Sequence, residues 1–187
     1  YFLYKKDCQR AEPLNLSLVE SGKLNKILQD YSKAGYKGVD LEKILSDFKF
    51  NEKQRSMSQA LYSHGLWYKL SNYILADVQK MRLETFLLGY PYWLAIDPCN
   101  YCNLHCPFCP TGQSRNVRAK AKLNFKDFKN IVDKFGQYLI HIDLVNWGEP
   151  LLNEEISEMI KYAKQFHIDI KIDTNLNHLG EGCIDRL

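Results

Sequence analysis

Four of the six cysteines in this sequence lie within eleven residues, from Cys99 to Cys109. Three of them, Cys102, Cys106 and Cys109, form a Cys-x3-Cys-x2-Cys array in one short loop. Cysteine thiolates are the usual ligands of iron in iron–sulfur clusters, and a four-iron cluster has four corners to hold. Three thiolates leave the fourth iron open to an exogenous ligand. The spacing therefore predicts a cluster that can do chemistry as well as carry electrons.

Two other kinds of site could use the same thiols. With Cys99 the loop has enough cysteines for structural zinc, although such sites usually separate their two cysteine pairs by a longer connection. The other alternative is a fully ligated electron-transfer cluster, whose bacterial ferredoxin spacing, Cys-x2-Cys-x2-Cys-x3-Cys-Pro, this loop does not match. Both alternatives stay open here. We expect Cys99 to be a spare thiol and the isolated Cys8 and Cys183 to be ordinary small apolar residues.

The overall composition restricts where the protein works and what it binds. Cysteines packed into one loop favour a metal or cluster in a reducing compartment, so we expect a cytoplasmic protein. The apolar runs are too short for a membrane span, and the basic start leads into no apolar leader segment. A net charge of +3 is too small to argue for nucleic acid. Because the chain opens on Tyr1 and its first methionine is Met57, we expect a piece of a longer protein.

Strand-like and helix-like segments alternate from residue 91 onward. Short apolar runs end at polar turns, and longer segments carry apolar residues at helical spacing. The predicted order is a strand at 93–96, a helix at 124–135, a strand at 139–145, a helix at 154–166 and a strand at 168–173. Consecutive strands joined by helices require right-handed crossovers, so the sequence predicts an α/β fold with a parallel sheet.

The three segments that leave these strands are the cysteine loop, a Gly148-Glu149-Pro150 turn and a Thr174-Asn175 turn. In a parallel sheet all such segments leave from the carboxyl edge, which is where ligands bind. We therefore expect the three segments to converge on one pocket. This expectation uses topology alone and does not depend on the cysteine spacing.

The first half of the chain has a helical pattern and contains no chemical motif. Apolar spacing predicts helices near residues 24–31 and 41–48, and a third that begins at an Asn51–Gln54 capping box. Apolar and aromatic residues extend this pattern through 66–88, until Gly89 and Pro91 end it. We predict a helical N-terminal region at residues 1–90 and a second domain at 91–187.

The cysteine array, with Phe108 just before its last cysteine, resembles the signature of the radical S-adenosylmethionine superfamily. The resemblance implies that Cys102, Cys106 and Cys109 hold a [4Fe-4S] cluster and that S-adenosyl-L-methionine chelates the open iron. An electron from the cluster would then cleave this cofactor to methionine and a 5′-deoxyadenosyl radical, which takes a hydrogen atom from the substrate.

Two further segments resemble cofactor turns of the same superfamily. Gly148 and Glu149 are similar to its Gly-Gly-Glu-Pro turn, which receives the amino group of S-adenosylmethionine, although Trp147 replaces the first glycine. Thr174 and Asn175 are similar to its Thr-Asn-Gly turn, with Leu176 in the place of the glycine. The resemblance thus implies a cofactor-binding set made of Phe108, Gly148, Glu149, Thr174 and Asn175.

The resemblance covers about half of the chain and implies a partial (β/α)6 barrel, with the first three βα units present after the N-terminal helical region. The sequence around the cysteines is similar to that of the SPASM/MoaA-like branch, whose members commonly modify peptides, although others act on sugars, nucleotides or cofactor precursors. Reduced flavodoxin or ferredoxin is the implied electron donor. The basic stretch from Arg115 to Lys126 is either a solvated loop or a surface that receives such an acidic partner. The rival hypothesis is a non-catalytic iron–sulfur or zinc module that binds a partner.

Overall fold

A computed structural model of the chain describes residues 51–81, 83–113 and 119–177. By its internal contacts the chain divides into two units, Tyr1–Tyr92 and Trp93–Leu187. The helices predicted at 24–31 and 41–48 lie outside the described residues. The described part of the first unit contains two helices, α1 (Glu52–Ser63) and α2 (Trp67–Met81). None of the described helices has both the length and the apolar character that a membrane span requires.

Helix α1 begins at the predicted capping box. The side chain of Asn51 accepts the backbone N–H of Gln54 at 2.9 Å, and the side chain of Gln54 accepts the backbone N–H of Asn51 at the same distance. These reciprocal bonds satisfy two N–H groups that the first helical turn leaves unpaired. The helix does not continue past Gly65, because that residue has a φ of 68° and the chain starts α2 immediately afterwards.

Helix α2 ends at Met81, so the helical pattern predicted through residue 88 is wrong at its C-terminal part. Leu83 has a φ of 54°, which is a left-handed conformation that cannot continue a helix. The N–H groups of Leu83 and Glu84 then bond back to the carbonyls of Lys80 and Gln79. This pair of bonds closes the helix although no glycine is present.

The segment after α2, residues 83–90, is irregular and is held by two amide side chains of that helix. Gln79 accepts the N–H groups of Leu88 and Gly89 at 3.0 and 2.9 Å, and Asn72 pairs with both backbone groups of Tyr90. Both amides are almost fully buried, so these bonds satisfy groups that would otherwise be costly to bury. An apolar pattern cannot reveal this arrangement because the deciding residues are polar.

The second unit contains a three-stranded parallel sheet with two described helices. Its strands are β1 (Trp93–Ala95), β2 (His141–Leu144) and β3 (Asp169–Ile172), in the spatial order β1-β2-β3, and its helices are α3 (Phe125–Phe135) and α4 (Ile156–Gln165). Both strand pairs are parallel, with Leu94 beside Ile142 and Ile142 beside Ile170. The predicted alternation of strands and helices in a parallel sheet is therefore confirmed.

One face of this sheet packs against both helices. The four residues of α4 that its apolar spacing predicts to face inward, Ile156, Met159, Ile160 and Ala163, are all buried. They pack with Ile142 and Leu144 of β2 and with Phe128 and Val132 of α3, among other members of one core cluster. Burial of these apolar side chains fixes the strands, and with them the loops that leave their carboxyl ends.

The opposite face of the sheet carries a polar ladder, which the sequence pattern did not predict. Both ring nitrogens of His141 are hydrogen-bonded. Nδ1 lies 3.0 Å from a carboxylate oxygen of Asp169, and Nε2 lies 3.0 Å from one of Asp143. The indole N–H of Trp93 donates to the other oxygen of Asp143 at 2.5 Å. The hydrogen bond to Asp169, helped by that to Asp143, raises the pKa of His141, and the same bond lowers the pKa of Asp169.

These shifts predict a pH-dependent contribution to stability. Because its pKa is raised, His141 contributes its full stabilisation below the ordinary value of 6.5. This contribution is lost as pH rises through the folded-state pKa. A lowered aspartate pKa contributes above the ordinary 3.8 and is lost in acid. The pair should therefore be most stabilising between these two values. Among the described residues, the ammonium of Lys164 lies 3.7 Å from Asp169, and that of Lys171 pairs with Asp173 at 2.7 Å.

We expect His141→Gln to destabilise the protein at pH 6 by about 1 kcal/mol, a modest value because water screens these partly exposed pairs. The difference from wild type should shrink toward pH 9. Urea unfolding of both proteins from pH 5 to 9 measures this, and NMR titration of the His141 ring checks its cause. A ring pKa at or below 6.5 would contradict the assignment.

Candidate functional site

The segments that leave the three strands line one cavity of about 500 Å³ at the carboxyl edge of the sheet. The lining residues from all three segments are Cys102, Leu104, Cys106, Gly148, Glu149, Ile172, Asp173, Thr174 and Asn175. The convergence predicted from topology is therefore confirmed. A cavity of this volume lies in the range of sites that take a cofactor or a drug-sized ligand.

The start of the cysteine loop (residues 98–113) is pinned by backbone pairing and by one buried amide. Leu123 donates to the carbonyl of Pro98 at 2.9 Å, and Asn100 donates to that of Ala121 at 3.1 Å. The side-chain amide of Asn153 donates to the carbonyls of both Pro98 and Leu123 at 2.8 Å. Asn153 is 2% exposed, and its two hydrogen bonds connect the cysteine loop to the segment that precedes α4 inside the protein.

Two of the three array cysteines, Cys102 and Cys106, contribute to the wall of the cavity, and Cys109 does not. Cys109 follows in a tight turn, where its N–H donates to the carbonyl of Cys106 at 3.2 Å. The turn depends on Gly112, because a Cβ there would lie 2.6 and 2.8 Å from backbone atoms of Cys106. A backbone hydrogen bond from Gly112 holds the pKa of the Cys109 thiol below its ordinary value.

Phe108 is the one member of the proposed cofactor set that the structure does not bring to the cavity. Its side chain is 97% exposed and is absent from the cavity wall. The other four members, Gly148, Glu149, Thr174 and Asn175, all line it. The resemblance includes Phe108 only because it precedes Cys109, and Cys109 also does not line the cavity.

Cys99 is buried beneath the cavity and does not line it. Its thiol donates to the carbonyl of Glu149 at 3.0 Å and to that of Tyr101 at 3.3 Å. Burial raises the pKa of this thiol, which favours the protonated form that such bonds require. The geometry agrees with the expectation that Cys99 is a structural thiol.

The turn after β2 is fixed by the carboxylate of Asp97, which follows β1. Asp97 accepts the backbone N–H of Trp147 at 3.0 Å and the side-chain amide of Asn146 at 3.2 Å. Asn146 has a φ of 150°, a region that residues with side chains seldom adopt, and these bonds help to hold it there. Trp147 stays about half exposed, so its bulk does not disturb the turn. Sequence reasoning missed the role of Asp97.

Gly148 lies against the backbone of the cysteine loop. A Cβ built on Gly148 would lie 1.8 Å from the carbonyl oxygen of Cys99 and 3.0 Å from its sulfur. No side chain fits there, so this glycine is what allows the turn after β2 and the cysteine loop to touch. The adjacent N–H of Glu149 donates to the carbonyl of Tyr101 at 2.9 Å, which adds a backbone hydrogen bond between the turn after β2 and the cysteine loop.

The carboxylate of Glu149 joins the turns after β2 and β3. One oxygen accepts the hydroxyl of Thr174 at 2.5 Å and the N–H of Leu151 at 3.0 Å, and the other accepts the N–H of Asn175 at 2.9 Å. Glu149 is 3% exposed. A carboxylate offers about four acceptor positions, so roughly one is left for a ligand in the cavity.

We expect Glu149→Ala to lower the free energy of unfolding by about 3–5 kcal/mol, since it leaves three donors around a buried site without their charged acceptor. Glu154→Ala is the matched control, because Glu154 is a solvent-exposed carboxylate that pairs only with Lys122 among the described residues. Its removal should cost less than about 1 kcal/mol. Urea unfolding measures both, and equal midpoints for the two variants would contradict the bridging role.

The turn after β3 (residues 173–177) is closed by its own side chains. Thr174 accepts the N–H of Leu176 at 3.1 Å, and Asn175 accepts that of Asn177 at 2.8 Å. Leu176 has a φ of 58°, the left-handed conformation that glycine adopts most readily. Leu176 therefore holds, with a side chain, a backbone conformation in which glycine is usual. The amide of Asn175 reaches the cysteine loop, donating to Asn103 at 2.9 Å.

The donor chemistry of the loop fits an iron–sulfur cluster, although no group of three or more His, Cys, Asp or Glu side chains is arranged around a metal position within the described residues. Cys102, Cys106 and Cys109 are all free thiols of one loop. Two N–H groups, from Leu104 and Asn175, point at the sulfur of Cys102 at 3.4 and 3.5 Å. Such donors are common around the sulfurs of cluster ligands.

Comparison with known proteins gives partial matches to the chain. The mycofactocin maturase MftC of Mycobacterium tuberculosis is 27% identical over 88 residues, which are 47% of this chain and 22% of that protein. The UPF0026 protein of Methanocaldococcus jannaschii is 26% identical over 85 residues, 42% of this chain and 26% of that protein. No family model matches the chain.

A structural search aligns the chain with Streptococcus suis SuiB bound to S-adenosylmethionine, with a TM-score of 0.47 and 21% identity over 74% of this chain and 33% of that one. BtrN in complex with AdoMet and 2-DOIA aligns over 52% of this chain and 41% of that one, with a TM-score of 0.46 and 17% identity. Of the two curated relatives named above, MftC and the UPF0026 protein, the matched segments span about a quarter of the length.

Proposed function

We propose that this chain belongs to a radical S-adenosylmethionine enzyme in which Cys102, Cys106 and Cys109 hold a [4Fe-4S] cluster. The observation that supports it most is the single cavity lined by two array cysteines, Gly148-Glu149 and Thr174-Asn175. The bound cluster and S-adenosyl-L-methionine would supply reductive cleavage of the cofactor and a radical that starts substrate chemistry.

The protein's own part in this proposal is to hold and orient. The loop thiolates bind iron, and Gly112 keeps their turn tight. The free acceptor position of Glu149 faces the cavity, where it would receive the ammonium group of the cofactor as a charge-assisted hydrogen bond. The hydroxyl of Thr174 donates its hydrogen bond to Glu149, so Thr174 would act on the cofactor indirectly, by orienting that carboxylate.

The rest of the proposal concerns the whole protein. We propose that the chain is the front part of a longer enzyme of the SPASM/MoaA-like branch, that its three βα units continue into a (β/α)6 barrel, and that peptides are a substrate class to test first. Reduced flavodoxin or ferredoxin would donate the electron. Lys120 and Lys126 are exposed, whereas Arg115 and Arg118 lie outside the described residues.

The test is anaerobic reconstitution of the full-length protein with iron and sulfide, followed by addition of S-adenosylmethionine and a strong reductant. We expect iron and sulfide to be retained and 5′-deoxyadenosine to be formed, as measured by chromatography. A variant with all three array cysteines changed to alanine is the control and should form none. Equal product from both proteins would contradict the proposal, and tightly bound zinc without iron would support the non-catalytic zinc module instead.

A further inference from the structure

The side chain of Asn175 connects the turn after β3 to the sulfur of Cys102, 73 residues away in sequence. Its amide nitrogen lies 3.5 Å from that sulfur and 2.9 Å from the side-chain oxygen of Asn103. The orientation of the amide is fixed by its other end, because the oxygen accepts the backbone N–H of Asn177 at 2.8 Å. A backbone N–H can only donate, so the NH2 group of Asn175 must face Cys102.

The same residue also contacts the turn after β2. The backbone N–H of Asn175 donates to Glu149 at 2.9 Å, on the carboxylate oxygen opposite the one that Thr174 uses. Asn175 therefore touches both other segments of the cavity at once. Its side chain acts on the cysteine loop, and its backbone acts on the carboxylate assigned to the cofactor.

We propose that Asn175 is a positioning residue for the iron–sulfur cluster, holding the Cys102 sulfur toward the cavity and making the cluster easier to reduce. This inference rests on the proposed function and differs from the contact with S-adenosylmethionine that the resemblance implies. An N–H group that bonds to a ligand sulfur draws electron density from it and stabilises the reduced, more negative cluster. Loss of the bond should therefore make the potential more negative.

The test uses Asn175→Leu, which has nearly the same shape but no N–H group, in the anaerobically reconstituted full-length protein. We expect full iron and sulfide content together with about a tenfold lower ratio of reduced to oxidised cluster at a fixed potential, equivalent to about 59 mV for one electron. Redox titration followed by electron paramagnetic resonance measures this. Asn103→Ala is the control, since it removes the other partner of the amide and leaves the N–H near Cys102, and it should keep the wild-type potential.

A second variant covers the case in which Asn175→Leu does not assemble a cluster. Asn175→Asp keeps the oxygen that accepts the N–H of Asn177, removes the donor to sulfur and adds a negative charge, so its potential should fall at least as far. Potentials equal to wild type in whichever variant assembles would overturn the inference alone. A wild-type protein that takes up no iron would instead end the proposed function.

Discussion

Replacing Cys106 by alanine is expected to abolish the iron–sulfur cluster, whereas replacing Cys99 should leave the cluster assembled. Cys106 is exposed and lines the cavity, and its thiol has no hydrogen-bond partner within the described residues. Cys99 is 2% exposed, its thiol donates to two backbone carbonyls, and it is not among the residues that line the cavity. Two cysteines of the same short segment should therefore give opposite results.

The measurement is iron and sulfide content per chain after anaerobic reconstitution, with the visible absorption of the cluster as a second readout. Cys99→Ala should retain wild-type content and lose about 1–2 kcal/mol of stability, from the vacated volume and two weak hydrogen bonds. Complete loss of the cluster in the folded Cys99→Ala protein would show four-cysteine ligation. That result would revive the zinc and ferredoxin-like alternatives together.

Sequence patterning predicted the second unit well because its two structural periods are unambiguous. Apolar residues of α4 recur at helical spacing, and the four that this spacing predicts to face inward are all buried. Strand segments end at polar turns, so the topology of the sheet and the convergence of its loops followed without any knowledge of distances. Where the bounds differ, the observed elements of the second unit are shorter than the predicted ones by one or two residues at an end, as in β2, His141–Leu144.

The same patterning failed in the first unit, where polar side chains decide the backbone. The apolar pattern predicts that the helix continues through Phe86 and Leu87, yet both side chains are exposed on the irregular segment after α2. Gln79 supplies the hydrogen bonds that this segment would otherwise lack. A glutamine inside an amphipathic helix gives no signal of such a role, because its usual place is the solvent-exposed face.

The site was predictable in its parts and not in its connections. Resemblance identified Glu149, Thr174 and Asn175, and the structure adds that they bond to one another more than to open space. Asp97 and Asn153 were missed because each acts through backbone atoms distant in sequence. Single polar residues beside a proline, as in Asp97-Pro98, predict only a turn.

These connections have a physical consequence for how the site works. Glu149 bridges two turns, and Asn175 bridges three segments through its backbone and side chain. Asn175 thus connects the carboxylate of Glu149 to the sulfur of Cys102, so a ligand that moves this carboxylate would also shift the hydrogen bond to the sulfur. The interior of the cavity wall is preorganised by buried hydrogen bonds, which lowers the cost of arranging it when a ligand binds.

A Gly148→Ala variant is expected to disrupt the junction between the turn after β2 and the cysteine loop, with a loss of more than about 3 kcal/mol in unfolding free energy. The added Cβ would lie 1.8 Å from the carbonyl oxygen of Cys99, closer than non-bonded atoms can approach. That carbonyl belongs to backbone held by pairing with residues 121–123 and by Asn153, so it cannot move away cheaply.

Trp147→Ala is the matched control for this variant, because it changes the neighbouring residue of the same turn. The Trp147 side chain is about half exposed, and the bond to Asp97 uses its backbone N–H, which alanine keeps. Its cost should stay below about 1 kcal/mol. Urea unfolding compares the two, and binding of S-adenosylmethionine to the reconstituted protein should fall at least about tenfold for Gly148→Ala, or roughly 1.4 kcal/mol. If Gly148→Ala were as stable as Trp147→Ala, the close approach of the two segments would not exist in solution, and neither would the cavity that depends on it.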